Sequence, residues 1–160
     1  MKQRVLFVCL GNICRSPAAE HIMRHYIEER GLQSLVEVDS AGTYGGHAGE
    51  LPDPRMREAA YSRGYRLTHR SRRFEEDDFE RFDKIVVMDD SNYERVSRLA
   101  PERKALDKVF RMREFMTDYP DWSYVPDPYY EGREGFFLVL DMLENGCRVL
   151  LDRIVEEQAK

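Results

Sequence analysis

Apolar residues run unbroken from Val5 to Leu10, and Gly11 and Asn12 follow them. A short continuous run with β-branched members predicts a strand buried on both faces, as in a parallel sheet. Ser16 and Pro17 then predict a helix start, Ser as N-cap and Pro at the first helical position. Ile22, Met23, Tyr26 and Ile27 form its apolar stripe, and Gly31 ends it. Val36 and Val38 alternate with charged residues in a second strand that stops at Ser40, Ala41, Gly42 and Thr43. Residues 44–54, with Gly45, Gly46, Gly49 and two prolines, predict a loop. A helix is expected over Arg55 to Arg63, closed by Gly64, and a short acidic-start helix over Glu75 to Phe82. Lys84 to Met88 is a third buried strand. Ser91 is expected to cap a helix through Leu99, and Lys108 to Met112 is a weaker fourth strand. Residues 117–131 are rich in Asp, Pro and Tyr without a period, which predicts an ordered loop. The apolar positions 136, 137, 140, 143, 147, 150, 151 and 154 are spaced for one long C-terminal helix from Gly135 to Glu157.

Strands alternating with helices predict an α/β fold with a parallel sheet, with helices covering it. No internal repeat or composition break divides the chain, so a single domain over residues 1–160 is expected. In such sheets ligands bind beyond the carboxyl ends of the strands, which directs attention to Cys9–Ser16, the first strand-to-helix connection.

Composition narrows the function classes. With 42% hydrophobic residues the chain is expected to be globular. Thirty acidic against 25 basic residues leave a net charge of −5, which argues against nonspecific nucleic-acid binding but not against a local phosphate site. The three cysteines, Cys9, Cys14 and Cys147, imply no disulfide framework, and no His/Cys grouping has zinc-site spacing, so no metal is expected. The run at Val5–Leu10 is too short for a signal peptide or a membrane span. A cytoplasmic protein without membrane insertion is expected.

The chemistry lies in residues 9–17. Five residues separate Cys9 from Arg15, and Gly11 and Asn12 both tolerate left-handed backbone. Leu10, Gly11, Asn12, Ile13 and Cys14 can therefore curl so that successive N–H groups form an anion nest. The helix behind them directs its unpaired N–H groups the same way, and Arg15 adds a planar fork for two phosphate oxygens. A site that favours phosphate also favours thiolate, so Cys9 is expected to be a nucleophile that attacks phosphorus without a metal. A lone cysteine ending a strand is more often a buried core residue. Arg15 and Ser16 at this spacing reverse that reading.

The segment from Cys9 to Pro17 resembles the active-site loop of the low-molecular-weight protein tyrosine phosphatases. Asp39–Thr43, Met88–Asn92 and Asp127–Tyr130 match further segments of that family in order. The resemblance implies a four-stranded parallel sheet with helices on both faces and the phosphate-binding loop after the first strand. It implies a phosphotyrosine hydrolase that passes through a cysteinyl phosphate without a cofactor. Phosphotyrosine-containing proteins are the implied substrates, with inorganic phosphate as product and inhibitor. By position, Cys9 matches the nucleophile, Arg15 the phosphate clamp and Asp127 the general acid and base. Ser16 matches the hydroxyl that bonds the thiolate. Asn12 with Ser40 matches the network that holds the loop, and Tyr129 and Tyr130 match aromatic walls of the substrate cleft. Cys14 stands where some members form a protective disulfide with the nucleophile; otherwise it is a small packing residue. Bacterial relatives often carry an aromatic residue about where this chain has Gly46, which leaves Tyr44 as the candidate wall.

Other readings of the motif are a thioredoxin-coupled arsenate reductase, a phosphoarginine phosphatase and a phosphotyrosine-binding module. The first needs a relay of further cysteines, and none lies between Cys14 and Cys147. Ile13 and Tyr129 weigh against the second. A binding module has no use for Cys9 and Asp127. Cys147, on the apolar stripe of the last helix, is expected in the core. His21, His25 and His69 show no partner in the sequence, and His47 borders the glycine-rich loop.

Overall fold

The computed structural model describes residues 2–128 and 132–160. Four parallel strands form one sheet in the order β2-β1-β3-β4, with β1 at Gln3–Cys9, β2 at Val36–Gly42, β3 at Lys84–Val87 and β4 at Val109–Arg111. Strand periodicity divides the apolar side chains between the two faces. Val5, Phe7 and Cys9 enter the larger core, beneath α1 (Arg15–Glu29) and α5 (Arg133–Gln158). Leu6 and Val8 enter the smaller one, with Phe74, Phe79 and Val96. Along α5, Phe136, Leu140, Leu143, Cys147, Leu150 and Ile154 are all fully buried, the stripe expected from their spacing. Further α-helices among the described residues are α2 (Pro54–Tyr61), α3 (Asp78–Arg81) and α4 (Asp90–Arg98).

Three local expectations are corrected. Helix α1 begins at Arg15 rather than after a Ser16 cap, and its start has no side-chain cap. The Ser16 hydroxyl is used elsewhere, as described below. Helix α4 is capped by Asp89, whose carboxylate accepts the Asn92 amide at 2.8 Å, and Ser91 lies inside the first turn. The acidic-start helix shrinks to Asp78–Arg81, because the buried Asp78 carboxylate turns back to the Glu75 amide (2.8 Å) and pairs with Arg72. No helix among the described residues is long and apolar enough to cross a membrane.

Candidate active site

Strand β1 ends at Cys9, and the chain must turn at once to enter α1. Every carbonyl on that turn faces outward to a partner. The Cys9 and Leu10 carbonyls accept the amides of Thr43 and Tyr44 at 2.9 and 2.8 Å. Those of Gly11 and Asn12 accept the Ser71 hydroxyl at 3.1 and 2.6 Å. The Ile13 carbonyl accepts the Asp53 amide at 2.8 Å, and that of Cys14 accepts the Ala18 amide at 3.3 Å. In a trans peptide the C=O and the following N–H point in opposite directions. Outward carbonyls from residues 9 to 14 therefore turn the N–H groups of residues 10 to 15 inward, toward one point. That convergence is an anion nest at the mouth of a helix.

The turn has two steric conditions. Asn12 adopts φ +57°, a left-handed conformation that Asn tolerates better than most residues. Gly42, at the end of β2, lies so close beneath that a Cβ there would stand 2.8 Å from the Leu10 carbonyl oxygen and 2.9 Å from the Asn12 nitrogen. Only glycine lets the strand and the loop approach in this way.

Asn12 is the buried hinge of the loop. Its Oδ1 accepts the Arg72 backbone amide at 3.0 Å and His69 Nε2 at 2.8 Å. A backbone amide can only donate, so the orientation of the Asn12 amide is settled, and Nδ2 donates to Ser16 Oγ at 2.8 Å and to Ser40 Oγ at 3.0 Å. The Ser40 hydroxyl in turn donates to Glu20 Oε1 at 2.6 Å. Ser16 Oγ, already accepting from Asn12, lies 3.0 Å from Cys9 Sγ and 3.3 Å from the Ala41 carbonyl. The one hydroxyl proton faces two acceptors, the Ala41 carbonyl at the longer distance and the sulfur at the shorter.

Arg15 is almost completely buried, and its guanidinium Nη1 donates to Asp89 Oδ2 at 2.7 Å and to the Val125 carbonyl at 3.0 Å. Nη2 lies 3.6 Å from Asp127 Oδ2. Burial opposes the charge on Arg15, but Cys9, Asp89 and Asp127 outweigh it and raise its pKa. Burial first, then the charges of Asp53 and Cys9, push the Cys14 thiol well up. Neither Cys9 nor Cys14 is in a disulfide here.

Cys9, Leu10, Gly11, Ile13, Cys14, Arg15, Tyr44, His47 and Asp127 line a single cleft of about 230 Å³. Tyr44 stands half-exposed at its rim, edge-on to His47 with ring centroids 6.0 Å apart. A Cβ on Gly46 would fall 2.2 Å from the Tyr44 ring, so that ring fills the space of a side chain at 46. The expected walls Tyr129 and Tyr130 lie outside the described residues. Trp122 and Tyr124 pack edge-to-face at the surface.

Several participants were not singled out in the sequence. His69, Ser71 and Arg72 form a strap behind the loop, and Asp89 anchors Arg15. The strap sits about sixty positions along the chain in an aperiodic stretch, so nothing local marks it. Asp89 falls within the Met88–Asn92 segment, whose match gave it no role. Among the described residues, Glu20, Asp39 and His69 bring potential metal-ligating atoms within 4.8 Å of one another. Those carboxylates already meet Arg24, Ser40 and Arg72.

The model of the low molecular weight phosphotyrosine protein phosphatase family matches residues 4–160. A putative low molecular weight protein-tyrosine-phosphatase of Synechocystis is 45% identical over 96% of this chain and 98% of its own length. A low molecular weight protein-tyrosine-phosphatase of Streptomyces coelicolor is 43% identical over 98% of this chain and 96% of its own. The crystal structure of a protein tyrosine phosphatase from Entamoeba histolytica superposes with a TM-score of 0.94 at 42% identity, covering 98% of this chain and 99% of that one. The sheet order, the cysteine-to-arginine turn and the full-length match agree, and the chain belongs to the low molecular weight phosphotyrosine protein phosphatase family.

Proposed function

We propose that Cys9, Arg15 and Asp127 carry out the phosphatase reaction, with Asp127 as general acid and then general base. The observation that carries this reading is that all three line one cleft whose floor is the N–H nest. Phosphate of a phosphotyrosine enters the nest, and Arg15 grips two of its oxygens. The Cys9 sulfur forms a bond to phosphorus as the bond to the phenolic oxygen breaks. Asp127 gives its proton to that oxygen, which matters because a phenolate of pKa about 10 is a poor leaving group at neutral pH. Water then attacks the cysteinyl phosphate. Asp127 takes the water's proton, the S–P bond breaks, and the departing thiolate receives the Ser16 hydrogen bond. Asn12 and Ser40 hold Ser16 in place for that step.

In this reading the substrate ring leaves the nest beside Tyr44, and Tyr129 and Tyr130 are its further aromatic walls by their match to the family. Cys14 serves as a redox guard for Cys9. One phosphatase domain spans residues 1–160, works in the cytoplasm on phosphotyrosine-containing proteins and is inhibited by its product, inorganic phosphate. Turnover of a phosphotyrosine peptide, measured against phosphoserine and phosphoarginine peptides with chelator present, tests the reading. Preference for phosphotyrosine, unaffected by chelator, is expected. Faster phosphoarginine turnover, or dependence on added metal, would overturn it.

A further inference from the structure

His21 lies on α1, buried against the segment that reaches the loop from behind. Both of its ring nitrogens are engaged. Nδ1 is 2.8 Å from the Pro17 carbonyl, and Nε2 is 3.1 Å from the Thr68 backbone amide, with the Thr68 hydroxyl at 3.4 Å. A carbonyl can only accept and a backbone amide can only donate. The ring must therefore carry its proton on Nδ1 and keep a lone pair on Nε2. This pattern belongs to the neutral imidazole alone, since the imidazolium has no acceptor to offer Thr68.

Thr68 is the first residue of the strap. Immediately beyond it, His69 and the Arg72 amide hold Asn12 Oδ1, and Ser71 holds the Gly11 and Asn12 carbonyls. We propose that His21 is a positioning residue for the phosphate loop, holding the strap through Thr68 only while its ring is neutral, so that its protonation loosens the nest. The inference rests on the reading of residues 9–15 as the phosphate site. The charged groups facing the ring are Glu20 and Arg24 on α1 and His69 on the strap. Burial comes first and, with Arg24 and His69, outweighs the Pro17 carbonyl and Glu20, which lowers the pKa. The unfolded chain therefore takes up this proton at higher pH than the folded one. The stabilisation is complete above the ordinary histidine value and is lost as pH falls through the lowered one.

Three variants and one spectroscopic signature test this, with an aryl phosphate as substrate. His21→Leu removes the acceptor and strands a buried amide; kcat/KM falls about tenfold at neutral pH. His21→Gln offers Thr68 a neutral acceptor that cannot titrate. Its activity stays near wild type at neutral pH, and the ratio of variant to wild-type kcat rises as the pH is lowered. In wild type the amide shifts of Thr68 and Asn12 titrate together, and in His21→Gln they do not. Superimposable pH profiles for wild type and His21→Gln, or a Thr68 amide indifferent to pH, would overturn the proposal even if His21→Leu fails to fold. Cys9→Ser separates the two readings: activity in that variant removes the phosphate-site assignment, whereas an inactive Cys9→Ser beside indifferent His21 variants removes only the role of His21.

Discussion

The two sides of the cleft are built in opposite ways. The loop of residues 9–15 is gripped from outside at each carbonyl and from beneath through Asn12, Ser40, His69 and Ser71. The arm that brings Asp127 is anchored near the site by Val125, whose amide donates to the Met88 carbonyl at 2.9 Å and whose own carbonyl accepts from Arg15. Asp127 follows two residues later, about a third exposed. The difference corresponds to two tasks. A nest that stabilises charge acts best when its dipoles are fixed before the substrate arrives. In the proposed reaction, Asp127 as proton donor has to meet leaving oxygens on different substrates, which a partly exposed side chain can reach.

Substitutions on the two sides put that contrast to the test. The largest effect is expected from Cys9→Ser, because a hydroxyl there stays protonated and attacks phosphorus poorly. Turnover is expected to vanish for every substrate while circular dichroism and phosphate binding persist. Residual activity of a few per cent would take Cys9 out of the mechanism. Next is Arg15→Lys, expected to lose about 10³-fold in kcat, since an ammonium cannot hold two oxygens in one plane. It also leaves Asp89 and the Val125 carbonyl short of a donor, so the loss extends over the whole leaving-group series.

Asp127→Asn is the decisive contrast, because it removes the proposed proton donor and leaves the nucleophile and the loop in place. Phenyl phosphate, whose oxygen needs a proton, is expected to slow about 10²-fold or more. Aryl phosphates with acidic phenols leave unaided and lose far less. A flat loss across such a series would assign Asp127 a structural part instead. Gly42→Ala tests the fixed side through stability. The added methyl group meets backbone rather than a movable side chain, and a loss of about 1–3 kcal/mol in denaturant unfolding is expected. An unchanged midpoint would show that strand and loop can separate without penalty.

The smallest effect concerns Cys14. In the proposed guard, peroxide converts Cys9 to its sulfenic acid, a thiolate on Cys14 attacks that sulfur, and the S–O bond breaks to release hydroxide, which solvent protonates, leaving a disulfide. The pKa of Cys14 is raised by burial, so its reactive fraction grows about tenfold per pH unit through the neutral range. Recovery with dithiothreitol is expected to be more complete when oxidation is carried out at higher pH, and Cys14→Ser is expected to lose that dependence. Equal recovery of both proteins at every pH would make Cys14 a packing residue.

What could be read from the chain follows from how far each signal reaches. Strand β1 and helix α5 were legible because their periods lie within their own residues. The length of α3 and the cap of α4 were misread, since buried Asp78 and half-buried Asp89 answer to partners that local spacing does not show. Within the site, the Cys9-to-Arg15 spacing announces its chemistry through the loop itself. The strap is silent for the opposite reason: His69 and Arg72 matter only because folding brings Asn12 within reach.

Tyr44 and Gly46 compete for one volume. With the ring over residue 46, any side chain introduced there must evict Tyr44 toward solvent, and restoring the ring requires that side chain to shrink again. The two positions behave as a seesaw with a single seat. A designer who wants a different rim on this cleft gains by varying them together, because a side chain added at 46 meets a ring already in place. Libraries that vary both together reach rims that stepwise substitution passes over, while the nest below stays untouched.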